Sequence, residues 1–595
     1  MCGIFAYTGP RDDAPALVIE GLKSLEYRGY DSWGVAVKSG APPIIVITKC
    51  VGKISSLVDA GALGRGHVAM GHSRWATHGA VTEGNAHPHY ACDDRVAVIH
   101  NGIVENHREL RIELEARGHR FHSQTDTEVI AHLVEQNLCA GAGLAEAVRY
   151  AFLRLQGRNA IIVMARDTDE LVAVRNGSPL VLGPIVQDGT FACVLASDTP
   201  ALLPHTRDVI FLGDGELAHL DGGLRLYDTH AGTPIERTPE RVTWEAAQAE
   251  KGPYPHFMLK EIMEQREALG RALNQPAELV QTVARAMRVA ENLFFAGCGT
   301  AGKVAQMGTY LFADVAGRPS SFILGSEFKN YRHSLHERTL LVAISQSGET
   351  ADLLEAVEVA RARGSTVIAV VNVPGSTLTR LADHTLLVNA GPEKAVCSTK
   401  ATLGQIAIIT LLAYACAGLP ADGFELVTHA AATIERTLVP ESLERIHDLA
   451  RRFKDVHDLY IIGRGLSYPV ALEAAVKIQE VSYIHAEGLA GGELKHYAIA
   501  LIEPGTPCLA LVPDDETRHE ILSNATEVKA RGGTIIGIAP EAHPIFDVHL
   551  PVSDAGMASP IVNLVPIQVL AYYLAVERGF DPDMPRNLAK SVTVK

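Results

Sequence analysis

The chain has 595 residues, with 53 Lys and Arg against 69 Asp and Glu, for a formal net charge of −16; 47% of it is hydrophobic and 21% charged. At about 100–200 residues per domain this length predicts three or four domains. The negative balance, without a basic block, speaks against a nucleic-acid partner, although local backbone dipoles can still bind a phosphorylated small molecule.

Mean hydropathy is +0.10. No apolar run approaches the roughly 20 residues of a membrane helix. The start lacks the basic segment, apolar stretch and cleavage site of a signal peptide. The nine cysteines are an odd count without a CxxC pair, so their spacing implies neither a disulfide framework nor a zinc site. These features together predict a cytoplasmic protein with no membrane partner and no metal.

The chain opens MCGIFAYTG. Cys2 is either a small apolar residue leading into a first strand or, once Met1 is removed, a thiol beside its own α-amine. That amine has a pKa near 8, roughly, and can serve as the base for the thiol. Short β-rich runs follow, VAVIH (96–100), AIIVMA (160–165) and VIFLG (209–213), with helical stretches at about 105–117 and 126–138. The pattern predicts an α+β domain over 1–240 with much antiparallel sheet. The polar, Pro- and Thr-rich segment around 229–255 reads as a linker, placed at 241–255.

Beyond it, strand and helix alternate. NLFFAGCGT (292–300), LLVAISQSGET (340–350) and TVIAVVNVP (366–374) each read as a strand, the first two leading into a helix, which predicts a doubly wound parallel α/β pattern. The pattern repeats: NLFFAGCGTAGKVA is echoed by DLYIIGRGLSYPVA, and ARGSTVIAVV by ARGGTIIGIA. Two α/β domains are therefore expected, at 256–435 and 436–586, with a short tail at 587–595.

SQSGET (345–350) ends a strand and opens a helix. Unpaired N–H groups at a helix start, the hydroxyls of Ser345, Ser347 and Thr350, and close backbone approach at Gly348 make a phosphate cradle. One N-cap needs only one hydroxyl; this turn offers three plus Gln346. GCGT (297–300) is a second such turn. The second repeat has VPDDET (512–517) in the equivalent place, where Asp514 and Asp515 would repel phosphate, so one phosphate pocket per chain is expected. Lys477 and Glu480 are three apart and share a helix face, which on spacing alone reads as a solvated salt bridge. Lys590, in PRNLAKSVTVK, has little charge nearby. It is either a tail lysine in water or a desolvated amine able to form a Schiff base.

Taken in order, MCGIF, GHSRWATHG (71–79), HNGIVEN (100–106), SQTDTE (123–128), SQSGET, the repeat, ELKH and LAKSVTV resemble the glutamine–fructose-6-phosphate aminotransferase (isomerising) family from Cys2 to the last residues. The resemblance implies an N-terminal-nucleophile (class II glutamine amidotransferase) domain followed by two tandem doubly wound sugar isomerase (SIS) domains. It implies Cys2 as nucleophile on the glutamine amide, with Asn101 and Gly102 as the oxyanion donors that such chemistry needs. Arg74 matches the partner of the glutamine α-carboxylate, a task that suits a bidentate guanidinium. Asp126 matches the partner of the α-ammonium, Thr77, His78 and His87 match pocket residues, and Trp75 matches the gate of an ammonia channel. HPH (87–89) therefore needs no metal.

For the second half the resemblance implies fructose 6-phosphate as acceptor. Its phosphate would lie on Ser345, Gln346, Ser347 and Thr350, with further contacts from Cys298, Gly299, Thr300, Ser398 and Ala589. Lys590 matches the Schiff-base lysine, His496 the ring-opening acid/base, and Glu480 the base that moves a proton between C1 and C2, with Lys477 beside it. No cofactor is implied, and the partners are L-glutamine, the sugar phosphate and a second copy of the chain in a homodimer.

Three departures stand out: Ala301 where the family usually has Ser, Tyr497-Ala498 after ELKH where it has Gly-Pro, and a linker without the long insertion of feedback-regulated eukaryotic relatives. The first removes a hydrogen bond worth about 0.5–1.5 kcal/mol and predicts weaker sugar binding. The second alters the loop beside His496. The third predicts no inhibition by a nucleotide sugar. Other readings are a class II amidotransferase or SIS deglycase acting on a different phosphosugar, and a sugar-phosphate sensor. The sensor has no use for Cys2, Asn101, Gly102 and Lys590.

Overall fold

The structure, a computed structural model, describes residues 2–57, 60–187, 189–242, 244 and 246–593. It forms two compact units, Met1–Glu250 with Ala589–Lys595, and Lys251–Leu588.

The first unit is built on two antiparallel sheets. In one, the strand Gly3–Thr8 lies between Val68–Arg74 and Thr190–Ala196. In the other, Val96–Gly102 lies between His89–Tyr90 and Asn159–Ala165. Side-chain alternation along each strand dictates the layering. Ile4 and Ala6 share one apolar core with Ala97, Ile99, Ala160 and Ile162, so the sheets pack face to face. Val96 and Val98 point the other way, into a second core with the helices His107–Ala116, Glu128–Cys139 and Leu144–Phe152. Helix Ala14–Ser24 covers the outer face of the first sheet, where the Phe5 ring meets Gly21.

The polar segment read as a linker is partly structured. Pro234–Ile235 pairs with Leu224–Asp228 and Glu240–Arg241 with Asp208–Phe211, while Val242 and Trp244 are buried. The first compact unit therefore runs past residue 240, to Glu250, and includes the buried side chains of Val242 and Trp244.

The second unit holds two five-stranded parallel sheets of identical order. The first runs Ser321–Leu324, Asn292–Gly297, Thr339–Ser345, Thr366–Val371, His384–Leu387. The second runs His485–Ala490, Asp458–Gly463, Pro507–Leu511, Thr534–Ala539, Val548–Pro551. The repeat in the sequence is thus a repeat of fold. One apolar core continues through both domains, including Leu311, Ile408, Ile478 and Leu570 from four different helices.

Two stretches depart from the hydropathy expectation. Lys400–Ala417 and Gly556–Glu577 are long and apolar enough to cross a membrane, yet 89% of the apolar 18-residue stretch of each is buried inside the fold. A helix that is apolar all round is what the centre of a large core demands.

Candidate active sites

The first site forms where the start of Gly3–Thr8 meets the ends of Val68–Arg74 and Val96–Gly102. Cys2, Arg74, Trp75, Thr77, His78, His87 and Asp126 line one cleft, joined by His100, Gly102, Thr125 and Thr127. Every residue assigned to glutamine by resemblance is brought together there. The Trp75 N–H donates to Cys2 Sγ at 3.2 Å, and Asn101 Nδ2 donates to the Cys2 carbonyl at 3.0 Å. Burial raises the Cys2 thiol pKa, so a base or a nearby positive charge is needed to produce thiolate.

The orientation of Asn101 is set by His72, a residue the motifs did not single out. His72 Nε2 lies 3.0 Å from the His100 carbonyl and 3.1 Å from Asn101 Oδ1. Both are acceptors, so Nε2 carries the proton and Asn101 presents its NH2 group towards Cys2. His72 is fully buried, and burial lowers its pKa to about 3. Its ring stacks on His87 at 4.1 Å between centroids. His87, His89 and His100 are also buried with lowered pKa values. The cleft is therefore backed by neutral imidazoles, tied together by Thr125 and Thr127 hydroxyls.

Gly102 has φ +135, and a Cβ there would lie 2.0 Å from the Arg158 carbonyl oxygen; only glycine fits. Arg74 is buried with its guanidinium on the carbonyls of His78, Gly79 and Ala80, so it also pins the loop that carries Thr77 and His78. Asp126 Oδ2 accepts from the Val104 N–H at 2.7 Å. Arg28 was likewise missed: its Nε donates to the Cys2 carbonyl at 3.3 Å and it pairs with Asp198 at 2.8 Å. Arg28 stands in LEYRGY (25–30), a stretch with no motif that marks it.

The second site lies within the second unit, where its two domains meet. In the turn after Thr339–Ser345, the Gly348 N–H donates to Ser345 Oγ at 2.9 Å and the Glu349 N–H to Ser347 Oγ at 3.2 Å. Ser345 Oγ and Thr350 Oγ1 are 3.3 Å apart at the start of helix Ala351–Arg361. Gly348 has φ +69, with Ser376 Oγ 2.1 Å from where a Cβ would be. The carbonyl of Gln346 accepts from Asn372.

Cys298 occupies the N-cap position of helix Gly299–Ala316 without a side-chain cap bond, and its thiol faces the backbone N–H groups of Gly325, Ser326 and Leu353, the last in the first turn of the neighbouring helix. Burial raises its thiol pKa to about 11, so the thiol is neutral. Thr300 Oγ1 then accepts from Lys477 Nζ at 2.9 Å, and the Ser398 carbonyl from the same ammonium at 3.2 Å. Lys477 is fully buried between Glu480 at 2.9 Å and Glu473 at 3.4 Å. The reading of Lys477–Glu480 as a solvated salt bridge is corrected: helix Ser467–Ser482 is packed inside the core and the ammonium has no water to face. Glu473, which the motifs missed, is also fully buried, and burial raises its pKa to about 7.

His496 is exposed at the end of the 3₁₀ turn Gly491–His496, without a hydrogen bond or ion pair among the described residues. Tyr497 beside it is exposed and Ala498 buried. Ala589 and Lys590 are half-buried and group with the first unit. In the second domain, Asp515 accepts from both the N–H and the hydroxyl of Thr517, so the VPDDET turn is capped by its own carboxylate.

Fold and sites together define a glutamine amidotransferase domain joined to a pair of sugar isomerase domains. The glutamine amidotransferase domain family matches residues 72–204 and the SIS domain family residues 286–415 and 452–577. A glutamine–fructose-6-phosphate aminotransferase (isomerizing) of Methanothermobacter thermautotrophicus is 44% identical over the full length of both chains. One of Pyrococcus horikoshii is 43% identical, again over both full lengths. A solved C-terminal domain of the glucosamine-fructose-6-phosphate aminotransferase of Francisella tularensis is 32% identical, with a TM-score of 0.52, and covers 56% of this chain and 100% of its own. The chain belongs to the glutamine–fructose-6-phosphate aminotransferase (isomerizing) family.

Proposed function

We propose that the chain converts L-glutamine and fructose 6-phosphate into glutamate and glucosamine 6-phosphate. The observation that carries this reading is that one chain holds both the Cys2–Asn101–His72 arrangement and a buried Lys477–Glu480 pair hydrogen-bonded to a turn beside a hydroxyl-rich helix start.

At the first site Cys2, unmasked by loss of Met1, attacks the side-chain amide of glutamine while its own amine takes the thiol proton. Asn101 and the Gly102 N–H stabilise the oxyanion. The proton returns to the leaving nitrogen as ammonia departs, and water hydrolyses the thioester to glutamate. Arg74 and Asp126 hold the α-carboxylate and α-ammonium. Trp75 gates the ammonia passage.

At the second site Ser345, Gln346, Ser347, Thr350 and the helix start hold the sugar phosphate. Lys590 forms the Schiff base with the sugar carbonyl, and ammonia displaces it. His496 opens the ring. Glu480 moves the proton from C1 to C2, with the Lys477 ammonium 2.9 Å from its carboxylate. The homodimer and the cytoplasmic location implied by the resemblance belong to this proposal. The nine free cysteines agree with a reducing compartment.

The test is glutamate release with and without fructose 6-phosphate, with the sugar product identified by mass. Sugar-stimulated release with glucosamine 6-phosphate supports the reading. Glutamate without an aminated sugar overturns the acceptor and directs attention to Ala301 and Tyr497.

A further inference from the structure

Away from the glutamine cleft, four side chains of the first unit converge: Cys92, His119, His132 and Glu135, with their ligand atoms all within 4.8 Å of one another. Cys92 Sγ is 3.6 Å from His119 Nδ1 and 3.5 Å from His132 Nδ1. Glu135 Oε2 is 3.0 Å from His119 Nδ1 and 3.6 Å from His132 Nδ1. With Zn–S of about 2.3 Å and Zn–N or Zn–O of about 2.0–2.2 Å, the donor–donor edges of a tetrahedral zinc site are about 3.3–3.6 Å long. Three edges of the cluster have that length, and the fourth, between Glu135 and His119, is shorter at 3.0 Å. We propose that Cys92, His119, His132 and Glu135 form a structural zinc site, distinct from both reaction centres.

The surroundings have the features of an outer shell. The second nitrogen of His132, Nε2, faces Glu128 Oε1 at 3.6 Å, and Glu128 is held by the N–H groups of His122 and Ser123. A carboxylate behind a ligating imidazole fixes its tautomer and raises its basicity. Glu135 uses its other oxygen, Oε1, to accept from the Asp93 N–H at 3.2 Å. The Arg120 N–H donates to Cys92 Sγ at 3.4 Å, as suits a thiolate. His132 and Glu135 are buried, whereas Cys92 is exposed and gives an entering ion access.

Spacing rules miss this site because its donors come from three separated places: the turn after His89–Tyr90, the loop at 117–127 and helix Glu128–Cys139. A bound ion would tie these together. That loop carries Thr125, Asp126 and Thr127 of the glutamine cleft, so the ion would brace the cleft without touching substrate.

The experiment uses the full-length, untagged protein. Metal analysis after gel filtration is expected to find one zinc per chain. Cobalt(II) added to chelator-stripped protein is expected to give a thiolate-to-metal charge-transfer band and intense tetrahedral ligand-field bands. Cys92→Ser is expected to abolish the charge-transfer band, and His119→Ala to weaken zinc binding by at least tenfold. Cys139→Ser, at another exposed cysteine, and His219→Ala, in an acidic surface cluster, are expected to change neither. Absence of both zinc and the band would overturn the proposal. So would a band that survives Cys92→Ser, or zinc lost only in His219→Ala. Cys92 and His119 are not core residues, so neither variant is expected to unfold the chain. Tryptophan fluorescence, which reports this unit, checks that it is folded.

Discussion

The ammonium of Lys477, in the second α/β domain, donates to the hydroxyl of Thr300, in the first helical turn of the other domain, at 2.9 Å. This bond links the two halves of the repeat at the start of helix Gly299–Ala316, and Lys477 has no solvent exposure with which to offset its loss. Lys477→Met should therefore strand two carboxylates. Breaking a buried pair from one side costs about 3–5 kcal/mol, and denaturant unfolding of the second unit by far-ultraviolet circular dichroism should show a loss of that size. Adding Glu473→Gln to Lys477→Met should recover part of it, because one stranded carboxylate is removed.

Glu480→Gln keeps the shape of the side chain but removes the base. Product formation should fall about 10²–10⁴-fold, with fructose 6-phosphate affinity and glutamate release retained. A rate near wild type would reassign the proton transfer to Glu473.

Cys2→Ala should abolish glutamate release while leaving sugar-phosphate binding, measured by calorimetry, unchanged. Asn101→Ala should lower the glutaminase kcat by about 10²–10³-fold with little change in KM, the pattern of a lost oxyanion donor. A rise in KM alone would instead place Asn101 in ground-state binding.

Gly348→Ala should damage the phosphate turn. Its φ of +69 and the Ser376 hydroxyl 2.1 Å from the new Cβ force the turn to shift. Strain of this kind costs about 1–3 kcal/mol. Fructose 6-phosphate affinity should drop at least tenfold, with glutaminase activity in the absence of sugar unaffected.

The buried histidines set an acid limit on the first unit. His72 has a folded pKa of about 3 against roughly 6.5 unfolded. Between these values the unfolded chain binds a proton that the folded chain refuses. Stability is therefore full above about pH 6.5 and falls as pH drops, by up to about 1.4 kcal/mol per pH unit for this one group. All three tryptophans, Trp33, Trp75 and Trp244, lie in the first unit, so their fluorescence should report a melting temperature that declines below pH 6.5. His72→Asn should flatten that slope; an unchanged slope would assign it to other groups.

Much of this was legible along the chain. The strand-to-helix turns, GCGT and SQSGET, announce themselves because small and hydroxyl residues must cluster where a helix start approaches a ligand. The tandem repeat is visible because the strands NLFFAG and TVIAVV, with the glycines at or beside their ends, are echoed by DLYIIG and TIIGIA, even though the SQSGET turn is not. Arg28, His72 and Glu473 were not legible. Arg28 and His72 reach Cys2 and Asn101 from distant stretches of chain, and Glu473 reaches Lys477 one helical turn away, through hydrogen bonds or ion pairs that leave no local pattern. The Lys477–Glu480 spacing reads the same on a solvated helix as on a buried one.

The sequence by itself determined the order of the amidotransferase and paired sugar isomerase domains, the position of Cys2 at the start of the first strand, and which of the two repeats carries the hydroxyl-rich SQSGET turn. These depend on local propensity, periodicity and turn chemistry, all of which are written within a few residues. Only the tertiary structure decided that His72 is neutral and aims Asn101 at Cys2, that Lys477 is dry, and that Cys92 meets His119, His132 and Glu135. Burial and long-range contact set protonation and donor geometry, and neither is a property of any short segment.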